Sequence, residues 1–186
     1  QEKHAKSAAA FYKAYLEYRR LAGEHSEHAG DALYHLALQQ WSQGRVDKAE
    51  EYFRFALTAR EKALGADSIG VSFVVYYWGE MLVDAERPAE AIPLYERCLK
   101  IEEAEYGKAS AEVAFTLGHL ATAQSAAGNH ENAVASSQRR LSIYEALRHE
   151  GLPGAYLDHG NTLRLAERYE EAERTYSRAL AYYLGR

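Results

Sequence analysis

With 186 residues, 47% of them hydrophobic, the chain is long enough to bury a core, and its 3 prolines leave room for long helices. A net charge of −5 and a pI near 5.9 give no basic excess, which argues against nucleic acid or an anionic membrane as the main partner. No apolar run approaches the ~18 residues of a membrane span, and a single cysteine, Cys98, excludes an internal disulfide framework.

The lone thiol suits a reducing compartment, with the cytoplasm as default. The start at Gln1 rather than Met reads as a cut or processed product, so an exported form stays open.

Taken from the start, the chain predicts a helix whose packing face is Ser7, Phe11 and Ala14, closed by Gly23 and Ser26. Next comes a helix with an apolar pair beside a small residue, Leu33, Leu36 and Ala37. The turn "QGRVD" (43–47) leads to a second helix with Ala49, Phe53 and Ala56 on one face, since spacings of 4 and 3 return to the same side. Gly65 suits a left-handed helix end and Ser68 an N-cap.

The unit then repeats 42 residues on: Val75, Trp78 and Gly79, the turn "AERPA" with Pro88 at a first helical position, then Ala91, Tyr95 and Cys98, Gly107 and Ser110. A third copy gives Leu117, Leu120 and Ala121, the turn "AGNHE", and Ala133, Ser137 and Arg140. The last gives Tyr156, His159 and Gly160, then Ala172, Tyr176 and Ala179, after a junction "RHEGLPG" that is three residues short and carries Pro153 in place of a serine cap. Ser137 and Arg140 put polar groups where the pattern has an aromatic and a small residue, so the contact between the third and fourth copies is expected to be looser or differently angled.

The expected architecture is all-α: nine helices as antiparallel pairs in a single array, with a half repeat over 1–26 and repeats over 27–68, 69–110, 111–152 and 153–186. Each pair leaves an apolar face for its neighbours to cover.

Leu33-x2-Leu36-Ala37 followed by Ala49-x3-Phe53-x2-Ala56 resembles the tetratricopeptide repeat. The 42-residue period, the stretch "AIPLYERCL" and Pro93 resemble the longer repeats of kinesin light chains. The resemblance implies a TPR-like α-solenoid, a right-handed superhelix. It also implies a non-enzymatic scaffold that takes a protein or peptide partner on the concave side of its first helices.

On that reading the peptide-binding candidates are Tyr34, Leu38 and Trp41 in repeat one, and Phe73, Tyr76 and Glu80 in repeat two. Phe115 follows in repeat three, Asn161 and Arg164 in repeat four. A further position reads His35, Tyr77, His119 and Asp158. The predicted trough is aromatic at repeats one and two and polar at repeat four, and Tyr and Trp give large contact area at low entropic cost. Packing of these rings against neighbouring first helices is the competing explanation. The asparagine ladder of kinesin light chains and the lysine and asparagine clamp of chaperone-binding members are largely absent.

Nothing in the sequence points to catalysis. There is no P-loop, nucleophile elbow, dinucleotide fingerprint or His-Glu-x-x-His motif. "HSEH" (25–28) reads as a solvated turn, Cys98 as a packed thiol, and Glu102, Glu103 and Glu105 as a solvated face, so no metal or cofactor is assigned. Two other functions stay open: self-association through exposed end helices, giving a homo-oligomer, and a ligand-sensing regulatory domain of a larger protein.

Overall fold

A computed structural model describes residues 2–185, with side chains from residue 10 onward. Ser7, expected on the packing face of the first helix, lies outside the described side chains. The described residues form nine helices and no strand: α1 (Glu2–Ala22), α2 (Glu27–Ser42), α3 (Val46–Leu64), α4 (Ile69–Asp84), α5 (Pro88–Tyr106), α6 (Ala111–Ala126), α7 (His130–Leu147), α8 (Leu152–Leu165) and α9 (Tyr169–Tyr183). Every turn falls within about two residues of its sequence-derived position, because glycine, serine and proline punctuate the chain where helices must stop and start.

The punctuation works in detail, with two differences. Ser26 and Ser110 cap α2 and α6 by accepting from the Ala29 and Val113 amides at 3.3 and 3.2 Å. Ser68 occupies the same position before α4 without a side-chain cap bond, because the Val71 amide donates instead to the Ser68 carbonyl at 2.9 Å. Gly65 and Gly107 do adopt positive φ, +92° and +84°, but with ψ of 148° and 156°. This is the extended mirror region, open to glycine alone, and not the left-handed helical well that was expected.

The chain divides into two compact units, Gln1–Ala85 and Glu86–Arg186. In the first, α2 and α3 form a tight pair, with Leu33, Leu36 and Ala37 buried against Ala49, Phe53 and Ala56 as the spacing predicts. Phe11 of α1 stacks on His35 of α2 at 5.0 Å. On the other side of the pair, α4 buries Val71, Val74, Val75 and Leu82. Arg60 of α3 ties the three later helices together. It donates to Asp31 of α2 at 2.6 Å and to the Gly70 carbonyl of α4 at 2.5 Å, and its guanidinium lies over the Tyr34 ring at 5.3 Å.

In the second unit, α5 packs on α6, α6 on α7, α7 on α8 and α8 on α9. Ala91, Tyr95 and Cys98 are fully buried, as are Ala133 and Ala179. The short junction before α8 is closed by His149, whose Nδ1 accepts from the Gly151 amide at 3.0 Å in place of a serine cap. The polar exceptions in α7 meet polar partners in α8. Ser137 Oγ lies 2.8 Å from His159 Nδ1, both residues buried, and Arg140 Nη1 donates to Asp158 Oδ2 at 2.5 Å.

Candidate functional site

First helices α2, α4, α6 and α8 each bury one face and carry the predicted binding residues on another. In the first unit, three tyrosines gather. Tyr34 meets Tyr77 edge-on at 5.7 Å, and Tyr76 meets Tyr77 edge-on at 5.0 Å. Tyr34 also touches the rim of buried Phe53 at 6.4 Å, so this ring is half built into the core. Burial, with Tyr77 beside it, pushes the Tyr34 phenol well above its ordinary value; the Arg60 cation opposes this only in part. The ring therefore stays neutral. Leu38, Trp41 and Glu80 are half-buried, and His35 is exposed on its outer side. Phe73 is the open ring, 52% exposed, between buried Ser72 and Val74.

In the second unit, Phe115 of α6 is 51% exposed, between buried Ala114 and Thr116. Its ring lies 4.7 Å from His119, which reaches back to Tyr95 of α5 at 6.0 Å. One turn further along α6 the character changes. A Cβ on Gly118 would stand 3.0 Å from the Arg140 guanidinium carbon. The arginine thus fills the volume a side chain at 118 would need. Positions 34 and 76 carry tyrosine, and the small residues Ala56 and Cys98 stand 22 residues later in the sequence; at 118 and 140 the sizes are exchanged.

Arg140 heads a cleft of about 470 Å³ between α6, α7 and α8, with Gly118, Thr122 and Ser125 on one wall and Asp158, Asn161 and Thr162 on the other. Its guanidinium lies over the Tyr144 ring at 5.4 Å, and its Nε is buried without a partner. Asn161 is oriented by Tyr176, whose hydroxyl donates to Asn161 Oδ1 at 2.8 Å. Arg164 does not join the cleft. It borders a separate depression of about 430 Å³ with Tyr169, Tyr176 and Leu180. Among the described residues no group of three or more histidine, cysteine, aspartate or glutamate side chains is placed to hold a metal ion, and no helix is long and apolar enough to cross a membrane.

Two sequence profiles of the tetratricopeptide repeat match the chain, over residues 31–62 and 71–146, together more than half its length. The chain belongs to the tetratricopeptide repeat family. This tetratricopeptide repeat protein superposes on BtubC (BKLC) from P. vanneervenii with a TM-score of 0.87 at 21% identity, over 98% of this chain and 74% of that one. It also superposes on a kinesin-light-chain-like protein of Podosopora anserina with nearly identical TPR-like repeats, with a TM-score of 0.85 at 14% identity over 97% and 87% of the two chains. The apo form of RapI gives a TM-score of 0.81 at 11% identity, over 96% of this chain and 48% of that one. No protein of curated function matches the sequence. At these identities the superpositions show the fold, a tetratricopeptide-like α-solenoid, which in general serves as a protein-interaction scaffold.

Within the tetratricopeptide pattern, sequence reasoning passed over the cleft's central residues. Arg140 and Ser137 stood out as departures, but as disruptions of packing rather than as parts of a site. The signal lay in pairing each departure with its partner: Gly118 with Arg140, and His159 with Ser137.

Proposed function

We propose that the chain is a non-enzymatic scaffold that takes an extended or helical peptide segment of another protein against its first helices. The supporting observation is the pair of exposed rings, Phe73 and Phe115, each flanked in sequence by buried neighbours. A ring held by a rigid helix and half open to water contributes little to the core and a great deal to an interface. In the first unit Tyr34, Tyr76 and Tyr77, with Leu38 and Trp41, supply apolar contact, and His35 and Glu80 lie on the same helices. In the second, His119 supports Phe115, and Asn161 and Arg164 offer polar contacts on α8.

The test begins with a partner segment captured on the intact protein and identified, followed by calorimetric titration. Tyr76→Ala and Trp41→Ala should each weaken binding by roughly 1–2 kcal/mol or more, the range of interface hot spots. Helicity should hold, and affinity should change little with salt, because the contacts are aromatic rather than paired charges. Unchanged affinity in both variants, with helicity intact, would overturn this reading.

A further inference from the structure

The cleft headed by Arg140 is polar on two walls, and the hydrogen bonds already made there fix what each wall can still offer. On α6, the Thr122 hydroxyl donates to the Gly118 carbonyl at 3.0 Å, one turn back on its own helix. Its proton is committed, so Thr122 Oγ1 can serve a ligand only as an acceptor. On α8, Asn161 Oδ1 accepts from the Tyr176 hydroxyl at 2.8 Å, which leaves the Asn161 amide nitrogen to donate. Arg140 of α7 gives Nη1 to Asp158 Oδ2 at 2.5 Å, and its Nε is buried. Nη2 is therefore the end of the guanidinium that remains to donate, and Oδ1 the end of Asp158 that remains to accept. The Asp158 side chain is 56% exposed, so the ion pair opens onto the cleft and is not sealed between the helices.

The cleft thus holds donors at Arg140 Nη2 and Asn161 Nδ2, and acceptors at Asp158 Oδ1 and Thr122 Oγ1. The charges of Arg140 and Asp158 cancel. A carboxylate entering the cleft meets Asp158 as a like charge, and an ammonium group meets Arg140. A primary carboxamide carries no charge, two N–H donors and a carbonyl oxygen with two lone pairs, so it matches the wall group for group. A backbone amide has only one N–H and matches it in part. Ala121 and Leu165 also line the cleft and offer apolar contact to the methylenes that lead to a carboxamide. Its volume of about 470 Å³ admits a side chain together with neighbouring backbone.

We propose that this cleft is the subsite for a side-chain carboxamide, that of a glutamine or asparagine in the partner segment. The proposal rests on the peptide-binding reading above for the source of that side chain, and adds what the second unit selects in it. The first two repeats lack the means, since Ala56 and Cys98 stand where α7 has Arg140, and His35 and Tyr77 where α8 has Asp158.

The experiment uses capped residues as probes: the N-acetyl methylamides of glutamine, asparagine, glutamate and methionine. Their backbone amides are identical, so any preference lies in the side chain. Nuclear magnetic resonance follows the Thr122 and Thr162 methyl signals and the Asn161 side-chain amide of the whole chain during each titration. The better carboxamide probe should bind at least about tenfold more tightly than glutamate or methionine, with little effect of salt. Thr122→Val, at an exposed position, keeps the shape and removes an acceptor, and should weaken that probe about three- to tenfold. Asp158→Asn removes the carboxylate that repels glutamate, and should turn the preference toward glutamate. If Asp158→Asn lost helicity, Thr122→Val would carry the comparison. Equal binding of all four probes would mean that only backbone amides are held, and would overturn the proposal. So would the absence of shifts with every probe, or a helical Thr122→Val variant that binds the carboxamide unchanged. No partner segment enters this test. Failure of Tyr76→Ala and Trp41→Ala to weaken peptide binding therefore bears on the aromatic contacts alone, and failure here bears on the cleft alone.

Discussion

Ser137 and His159 lie 22 residues apart, on α7 and α8, with Oγ and Nδ1 separated by 2.8 Å inside the second unit. Each is polar where the other repeats are apolar. Ser137 takes the place of Phe53 and Tyr95, and His159 that of Leu36, Trp78 and Leu120. One arrangement satisfies every atom involved. The serine hydroxyl donates to the Val134 carbonyl at 3.1 Å, and the imidazole Nδ1–H donates to the serine oxygen. Ser137→Ala would leave the buried imidazole nitrogen without a partner, and should destabilise the protein by about 1–3 kcal/mol. Denaturant midpoints of the variant and the unaltered chain check this.

His159 also predicts a pH dependence. Burial, with a smaller effect from Arg168, holds its pKa below the ordinary 6.5. In the window between the lowered value and 6.5 the unfolded chain binds more protons than the folded one. Stability is therefore fully present above 6.5 and falls as pH drops through that window. Denaturation midpoints between pH 5 and 7.5 should show the decline, and His159→Gln should flatten it. A decline of equal size in the variant would assign the effect elsewhere.

Glu102 predicts the opposite slope. Burial pushes its carboxyl above the ordinary 4.5, opposed in part by Thr116 and by Cys98, whose thiol donates to Oε1 at 3.4 Å, while Oε2 is buried with no partner. The folded state then holds a proton that the unfolded state gives up, so its contribution is present below 4.5 and is lost as pH rises through the raised value. Glu102→Gln keeps the shape and removes the charge. Its denaturation midpoint should exceed that of the unaltered chain at pH 7, and the difference should shrink toward pH 4.

The packing phase can be tested at Ala91, which is fully buried, against exposed Ala104 on the same helix. Ala91→Leu should overpack its site at a cost of about 1–3 kcal/mol. Ala104→Leu should cost much less. Equal losses of thermal midpoint would show that α5 presents a different face.

Helix positions and packing faces were legible because they depend on local signals: glycine and serine at the ends, and spacings of 3 and 4 within. Ser68 shows the limit of such signals, since it sits at the cap position and its neighbour's amide goes to the backbone carbonyl instead. Exposure of the candidate rings was less legible. Tyr34 is half built into the core because Arg60, on another helix, lies across it, whereas Phe73 stays open. The polar pairs at Ser137 and Arg140 were hidden for a further reason. Their partners follow the junction that breaks the 42-residue period, so register alone no longer aligns them.

The exchange of sizes at Gly118 and Arg140 gives the sharpest test of how the cleft is built. Three pairs at the same spacing compare directly: Tyr34 with Ala56, Tyr76 with Cys98, and Gly118 with Arg140. If the arginine occupies the volume that a tyrosine fills in the other repeats, Gly118→Tyr alone must collide with a guanidinium that a bare Cβ would already approach to 3.0 Å. The cost should be of order 1–3 kcal/mol, reduced by whatever helix propensity glycine had withheld. Arg140→Ala alone should lose the Asp158 bond and leave the cleft wider. The double variant restores the large-and-small arrangement of the first two repeats, and should recover most of the loss from Gly118→Tyr. Denaturation of all four proteins closes a double-mutant cycle, and a favourable coupling of about 0.5–3 kcal/mol is expected for residues in contact. Additive losses would mean that the two positions do not share one volume, and the cleft would then owe its polar wall to Arg140 and Asp158 alone.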